Sequence, residues 1–258
     1  MKKNETSNSI IPLSTIKDIA SHVIINEHTL VVFDIDHTLL RPKSFFGTHL
    51  WVDLIFKALQ KKHHYSFKQV NEMVNYALTH LNIDVEAVEE EMTIFVKNLH
   101  QQNIPAFALT GRPFSTHQRT LRELGIIGLD FTRTSPAHSA TSATTLNSIP
   151  YHKGVLFSRS SVTESKGKIL LHFLRTIDYQ PEKIVFIDDY DVYVNSVHTE
   201  TKAQKIPSFA FHYTYGNPHT PTAEQTEEHA LELFYAAFPQ FKPHAAAIES
   251  TNAKASST

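Results

Sequence analysis

The feature that most constrains the fold is an apolar run that ends in two acidic residues, LVVFDIDHTLL over residues 30–40. Its apolar part is typical of a strand buried in a parallel sheet. Asp34 and Asp36 are two residues apart, so both side chains leave the same face of an extended backbone. Two carboxylates at the end of a buried strand repel each other and are costly to desolvate. The pair does not stabilise a core strand. It is expected where a divalent cation binds, or where a reaction uses one carboxylate as a nucleophile and the other as an acid/base.

Two further apolar segments, 103–109 and 183–187, also lead into polar residues. The first ends at Thr110 and the second at Asp188 and Asp189. Strands alternate with helices along the chain, which predicts an α/β protein with a central parallel sheet and helices on both faces. The carboxyl ends of parallel strands meet at one edge, where such folds bind ligands. We therefore expect these polar residues to converge there with the first acidic pair.

The spacing of apolar residues predicts the remaining elements. A short strand at 153–157 is expected in a hairpin that faces the site, and the serine- and threonine-rich stretch 131–149 is expected to be a loop. Ser14 is the expected N-cap of the first helix. The last strand is predicted at 210–213, and helices are predicted at 12–22, 51–59, 67–78, 85–99, 114–124, 166–176 and 223–238.

The predicted organisation is one core domain with an insertion. A chain of 258 residues is long enough for one sizeable core and a small accessory lobe. We assign the core to 12–42 and 96–242 and a small helical cap to 43–95, directly after the first strand motif. A flexible N-terminus is expected at 1–11 and a disordered tail at 243–258.

Composition excludes several classes of function. The chain has no cysteine, which excludes disulfides, thiolate catalysis and zinc–thiolate sites. A formal charge of -2 without a basic face argues against nucleic acid or a membrane as a partner. No apolar stretch approaches the roughly 20 residues of a membrane helix, and the polar N-terminus does not resemble a secretory signal. These observations predict a cytoplasmic protein, while its oligomeric state is not predicted.

The polar residues after the strands, taken together, resemble the motifs of the haloacid dehalogenase-like (HAD) superfamily. The motifs occur in the family's order over about residues 28–215. In chain order they are Asp34-x-Asp36-x-Thr38, Thr110 followed by Gly-Arg, Lys166 at a helix start, and Asp188-Asp189. Together with Trp51 in the insertion, they are similar to a largely uncharacterised bacterial HAD-like family. The resemblance implies a HAD-like Rossmannoid three-layer fold with a small cap.

The resemblance also implies a Mg²⁺-dependent phosphatase that acts on a phosphomonoester. Asp34 would be the nucleophile that forms an aspartyl-phosphate. Asp36 would be the general acid/base that protonates the leaving oxygen and later activates water. Thr110 would donate a hydrogen bond to a phosphoryl oxygen. Lys166 would bind the same oxygens and hold the nucleophile ionised.

Magnesium is the cofactor that this resemblance implies, because a phosphate dianion would otherwise be repelled by Asp34. The expected metal ligands are Asp34, the backbone carbonyl of Asp36, and Asp188. Asp189 is either a further ligand or a residue without direct metal contact, which would face outward or pair with Lys166, and the sequence favours neither. Carboxylate, carbonyl and water oxygens suit Mg²⁺.

Three residues are weaker candidates for contact with the substrate. Arg112 could reach a substrate anion, although an ion pair at the surface is the favoured interpretation. Phe46 and Trp51 open the insertion and could touch the leaving group. Aromatic residues at helical spacing more often belong to a core. One departure from the family is Tyr193, which stands where relatives often carry asparagine.

The sequence leaves the substrate and two other functions open. The substrate is a phosphorylated small metabolite or a phosphorylated protein side chain such as phosphotyrosine. A phosphotransferase or mutase would carry the same motifs and shield the aspartyl-phosphate from water. A catalytically weak HAD-like module that binds a protein partner is the alternative outside enzymes. That last class is disfavoured by the intact set of Asp34, Asp36, Thr110, Lys166 and Asp188.

Overall fold

Two compact units divide the chain. The first comprises the described residues of Met1–Lys43 and Asp84–His219, and the second those of Ser44–Ile83 and Thr220–Thr258. The computed structural model describes residues 9–137, 144–146, 149–158, 165–215 and 225–243. The predicted flexible terminus up to residue 8 and the predicted tail after residue 243 therefore lie outside the described residues.

Ten strands and seven α-helices are found in the described residues. The strands are β1 (Ser9–Leu13), β2 (Thr29–Phe33), β3 (Leu40–Pro42), β4 (Val85–Ala87), β5 (Ala106–Thr110), β6 (Thr144–Leu146), β7 (Ile149–His152), β8 (Val155–Phe157), β9 (Lys183–Asp188) and β10 (Ser208–Tyr213). The helices are α1 (His49–His63), α2 (Phe67–His80), α3 (Glu90–Gln101), α4 (His117–Ile126), α5 (Lys166–Thr176), α6 (Asp191–Ala203) and α7 (Glu227–Ala237).

The first unit is built on a mostly parallel sheet, which confirms the predicted fold class. Within the described residues the strand order is β1-β10-β9-β2-β5-β8-β7-β6. Pairing is parallel from β1 to β8 and antiparallel at β8–β7 and β7–β6, which form the predicted hairpin. Every residue of β2 and β5 is buried, as expected for strands covered on both faces.

Helices cover both faces of this sheet. Alternate side chains of a strand point to opposite faces. Leu30 and Val32 of β2 belong to a core cluster that includes Leu170 of α5 and Val194 of α6. On the opposite face Phe33 packs edge-on against a phenylalanine of α3, with ring centroids 6.1 Å apart. The result is the three-layer arrangement that the sequence predicts.

A small antiparallel pair marks the point where the insertion leaves the first unit. β3 pairs with β4, so that Pro42 lies opposite Val85. The backbone N–H of Lys43 donates to the carbonyl of Asp84 at 3.0 Å. The chain therefore leaves the first unit and re-enters it at one place.

The second unit contains α1, α2 and α7. Trp51 of α1 is fully buried, and its ring centroid lies 6.5 Å from that of Phe234 in α7. The sequence assigns 84–95 to the cap and the terminal helix to the core, whereas the two units divide the chain differently. Residues 84–95 lie with the first unit, where β4 pairs with β3. The terminal helix lies with the second unit because it packs on α1.

The N-terminal helix predicted at 12–22 is wrong. The structure has β1 there, followed by a 3₁₀ helix at Ile16–Ser21. Thr15, not Ser14, is the N-cap, since its side chain accepts a hydrogen bond from the backbone N–H of Lys17. The parallel pairing of β1 with β10 overrides the helical spacing of the apolar residues. It also orders residues 9–11, which the sequence places in a flexible terminus.

Two other predicted segments differ for the same reason. The helix predicted at 85–99 begins only at Glu90, because residues 85–87 pair with β3. The loop predicted at 131–149 contains β6 and the start of β7, which pair with each other. Hydrogen bonds to a distant strand decide the conformation in both segments, and local composition does not reveal them.

Candidate active site

Three neighbouring parallel strands end in polar residues at one edge of the sheet. β2 lies between β9 and β5, and its last residue, Phe33, pairs with Ile187 of β9. Asp34 follows β2 directly, while Asp188 and Thr110 are the last residues of β9 and β5. Asp34 is 5% exposed, and Asp188 and Thr110 are fully buried. The structure thus brings together the three strand ends that carry the sequence motifs.

Asp34, Asp188 and Asp189 form an acidic cluster. One carboxylate oxygen of each lies within 4.8 Å of those of the other two. Burial, together with the charges of Asp34 and Asp188, raises the pKa of Asp189 to about 8. Burial likewise raises the pKa of Asp188 to about 7 and is the main reason that the pKa of Asp34 is raised. A cation bound among the three carboxylates would remove this penalty.

Lys166 connects two members of the cluster. Its Nζ donates to Asp34 Oδ1 at 2.5 Å and to Asp188 Oδ2 at 2.7 Å. Burial alone would lower the pKa of Lys166, but the two adjacent carboxylates outweigh it and raise the pKa. Lys166 is the first residue of α5, which Ser165 caps by accepting from the backbone N–H of Lys168. Lys166 is 2% exposed, whereas Lys168 is exposed to solvent.

Tyr193 is a site residue whose contact the sequence does not reveal. The Nζ of Lys166 lies over its ring, 4.3 Å from the centroid, in a cation–π arrangement. Asn195, the asparagine two residues later in α6, is exposed and donates to the backbone carbonyl of Asp191 at 2.7 Å. Tyr193 therefore contacts the lysine of the site where the family pattern has an amide.

Thr110 is held by backbone contacts on both sides. Its Oγ1 accepts from the backbone N–H of Arg112 at 3.1 Å. Its carbonyl accepts from the backbone N–H and the hydroxyl of Ser158, at 2.8 and 2.9 Å. The position of the threonine hydroxyl is thereby fixed at the strand end, where it can donate its proton to a bound oxyanion.

Arg112 and Asp36 form a two-point ion pair. Arg112 Nε donates to Asp36 Oδ2 at 2.8 Å, and Nη2 donates to Oδ1 at 2.7 Å. The sequence favours a surface ion pair for Arg112, but the structure buries most of it, with 11% of the side chain exposed against 21% for Asp36. Burial opposes the charge of Arg112, yet Asp36 and Glu123 outweigh it and raise its pKa.

A polar stripe on α4 supports this ion pair. Arg112 Nη1 donates to Glu123 Oε2 at 2.6 Å and to Thr120 Oγ1 at 3.1 Å. Arg119 Nε donates to the other oxygen of Glu123 at 2.6 Å. Arg119, Thr120 and Glu123 of α4, and Thr116 directly before it, are all buried and recur at helical spacing. That spacing is the sequence signal for the stripe, because a polar face at core positions requires internal partners.

A tight turn after Asp36 leads the chain away from the site. His37 has a positive φ of 59°, and its N–H donates to the carbonyl of Leu40 at 2.8 Å. The N–H groups of Leu39 and Leu40 both donate to the carbonyl of Ile35. These bonds close the turn, in which His37 takes part through its backbone.

The two aromatic candidates lie in the second unit. The rings of Phe46 and Trp51 pack edge-on with centroids 4.8 Å apart. Trp51 is fully buried among the helices of that unit, and Phe46 is partly buried. This placement is typical of a hydrophobic core and gives Trp51 no exposed surface for a substrate.

The chain belongs to the family described as "Protein of unknown function (DUF2608)", whose model matches residues 12–241. A Chlamydia trachomatis protein named "Putative outer membrane protein" is 24% identical over 223 residues, covering 84% of this chain and 82% of the relative. Further chlamydial relatives at 23–24% identity carry the same name.

Two solved structures are weakly similar to this chain. A haloacid dehalogenase-like hydrolase from Streptococcus pneumoniae has a TM-score of 0.43 at 16% identity, covering 70% of this chain and 83% of that one. A HAD-superfamily hydrolase from Ehrlichia chaffeensis has a TM-score of 0.41 at 13% identity, covering 76% and 97%.

The predicted cytoplasmic location is contradicted by the chlamydial relatives. Their name places them at an outer membrane, and nothing in the composition of this chain indicates such a location. Among the residues that the structure describes, no helix is both long and apolar enough to cross a membrane.

Proposed function

We propose that this protein is a Mg²⁺-dependent phosphatase that hydrolyses a phosphomonoester through an aspartyl-phosphate on Asp34. The observation that carries the proposal is the buried cluster of Asp34, Asp188 and Asp189, two members of which are bridged by Lys166. A buried cluster of this kind is costly to fold and is typical of sites where a cation and an anionic substrate meet.

The donor set fits a hard divalent cation. Three carboxylates and one ammonium carry a net charge of -2 when all are ionised, since -3 and +1 sum to -2. Oxygen ligands from carboxylates suit Mg²⁺, and no soft sulfur ligand from cysteine is present in this chain. Asp34, Asp188 and Asp189 would hold the ion, with the backbone carbonyl of Asp36. When bound, Mg²⁺ would neutralise phosphoryl oxygens and align the phosphate with the nucleophile.

The first step of the proposed reaction transfers the phosphoryl group to the protein. A carboxylate oxygen of Asp34 attacks phosphorus, and the bond from phosphorus to the leaving oxygen breaks. Asp36 gives its proton to that oxygen, so the product leaves as an alcohol. Thr110 and Lys166 donate hydrogen bonds to the phosphoryl oxygens as their negative charge shifts.

The second step regenerates the nucleophile. Asp36, now ionised, accepts a proton from a water molecule whose oxygen attacks phosphorus. The bond between phosphorus and the Asp34 oxygen breaks, which releases inorganic phosphate and restores the carboxylate. Asp36 ends protonated, ready for another substrate.

The second unit is proposed to act as a cap. Its segment 44–83 is inserted between β3 and β4, directly after the turn that follows Asp36. A helical unit inserted at this point of the chain would select the leaving group and limit access of water. Its small size suits a compact metabolite or a phosphorylated side chain of a protein.

The test is release of inorganic phosphate from para-nitrophenyl phosphate, with Mg²⁺ and with EDTA. Turnover that requires Mg²⁺ and that Asp34→Asn abolishes supports the proposal. Lys166→Met should also abolish turnover, while Lys168→Met is its matched control, since that lysine is exposed two residues away. A folded native protein that releases no phosphate from aryl phosphates, metabolites or phosphopeptides would contradict hydrolysis and favour a transferase or a binding module.

A further inference from the structure

Asp36, the proposed proton donor, is held at both oxygens by one side chain. The Nε and Nη2 atoms of Arg112 donate to Oδ2 and Oδ1 at 2.8 and 2.7 Å. We call this two-point contact of the planar guanidinium the fork. A carboxylate has about four lone-pair positions, so the fork leaves positions on both oxygens for proton exchange. The fork therefore fixes the direction of the carboxylate without removing its capacity to act.

The opposite end of the guanidinium is fixed as well. Arg112 Nη1 donates to Glu123 Oε2 at 2.6 Å and to Thr120 Oγ1 at 3.1 Å, and the Glu123 side chain is fully buried. Both acceptors lie on α4, one helical turn apart. Arg112 thus links α4 to Asp36, so the packing of that helix determines where the Asp36 carboxylate lies.

We propose that Arg112 is a positioning residue that sets the direction from which Asp36 meets the leaving oxygen. The proposal rests on the proposed phosphatase function, because it assigns Asp36 to proton transfer. Such transfer needs a heavy-atom separation of about 2.6–3.2 Å, which a rotation of the Asp36 carboxylate would break. Loss of the fork should therefore slow protonation of the leaving oxygen more than attack on phosphorus.

The leaving group distinguishes this role from a purely structural one. A nitrophenolate ion departs without a proton, whereas a phenolate or an alkoxide departs poorly unless it is protonated. A variant that only loosens the fold lowers the rates for all substrates by the same factor. A variant that misdirects Asp36 lowers the rates mainly for substrates with poor leaving groups.

The experiment compares kcat/KM for para-nitrophenyl phosphate and phenyl phosphate, with Mg²⁺, in the native protein and three variants. Arg112→Met should lower the value about 100-fold for phenyl phosphate and less than about tenfold for the nitrophenyl ester. Arg112→Lys keeps the charge but lacks the fork, so it should show the same selective loss. Arg41→Met removes an arginine that pairs with Glu86 through Nε at 2.9 Å, and should change both substrates equally.

A double variant supplies the second test. If Arg112 acts through Asp36, adding Arg112→Met to Asp36→Asn should cause no further selective loss for phenyl phosphate. Equal losses for both substrates in Arg112→Met, or a further selective loss in the double variant, would overturn the positioning role and leave the phosphatase proposal standing. Absence of turnover in the native protein would instead overturn the phosphatase proposal and the positioning role with it.

Discussion

The ammonium of Lys166 lies over the ring of Tyr193, 4.3 Å from the ring centroid, while it donates to Asp34 and Asp188. Two carboxylates and an aromatic face therefore hold one buried cation. The two residues lie in the first turns of α5 and α6, so the contact depends on how closely these helices approach each other.

Removing the ring of Tyr193 should weaken the hold on Lys166. Tyr193→Leu loses the cation–π contact, worth about 0.5–2 kcal/mol, and should lower kcat for phosphate release about tenfold. Tyr193→Phe keeps the ring face and should retain kcat within about threefold of the native value. Steady-state release of phosphate measures both variants. Equal losses in the two variants would show that the hydroxyl, and not the ring face, matters.

Substituting Gly167 should push α5 and α6 apart. A Cβ atom at Gly167 would lie 2.3 Å from the carbonyl oxygen of Ser196 in α6, so a backbone must move. Gly167→Ala should lower the free energy of unfolding by about 1–3 kcal/mol and reduce turnover, because Lys166 and Tyr193 shift relative to each other. Urea unfolding and phosphate release measure the two effects.

Gly125 provides the matched control for that substitution. It lies in α4, and a Cβ atom there would meet nothing within 4 Å. Gly125→Ala should raise the free energy of unfolding by about 0.5–1 kcal/mol through helix propensity and leave turnover unchanged. Equal effects of the two alanine substitutions would contradict the close contact between α5 and α6.

Glu89 should be essential to the stability of the first unit. This buried carboxylate accepts from the backbone N–H of Ile16 at 3.0 Å and from the Tyr213 hydroxyl at 2.6 Å, and it also accepts from the Thr15 hydroxyl. Glu89→Leu leaves these donors without an acceptor and should lower the free energy of unfolding by about 3 kcal/mol. Tyr213→Phe removes one donor and should cost about 1 kcal/mol. Urea unfolding should show this order, and equal losses would contradict it.

Magnesium should stabilise the folded protein through the acidic cluster. A ligand at about 100 times its Kd adds about 2.7 kcal/mol to stability, so Tm should rise as Mg²⁺ is added. Asp189→Asn should reduce that rise, while Asp191→Asn, an exposed acid two residues later, should leave it unchanged. A thermal shift that Asp189→Asn leaves unchanged would remove this residue from the set of metal ligands.

The sequence predicts the centre of the fold better than its edges. β2, which Asp34 follows, and β9, which ends in Asp188, each contain a continuous apolar run, so their burial follows from composition. The edge strand β1 and the paired β3 and β4 form only because a distant strand supplies hydrogen bonds. The spacing of apolar residues within each of these segments does not indicate which distant strand pairs with it.

The same contrast holds for the site. Residues at the ends of parallel strands are placed by topology, which is why the order of strands along the chain predicts that Thr110 lies at the same sheet edge as Asp34. The fork between Arg112 and Asp36 joins residues 76 positions apart, and its support by Glu123 depends on how α4 packs. In the sequence, this contact and its support by Glu123 are indicated only by the polar residues at helical spacing on α4.

The most direct test of the account is to trap the intermediate on Asp34. Native protein with Mg²⁺ and para-nitrophenyl phosphate is quenched with acid and reduced with borohydride, which converts an aspartyl-phosphate to an alcohol. We predict that mass spectrometry finds this reduction at Asp34, and finds none when substrate is omitted or in the Asp34→Asn variant. Release of phosphate with no reduction at Asp34, or with reduction at another aspartate, would contradict it.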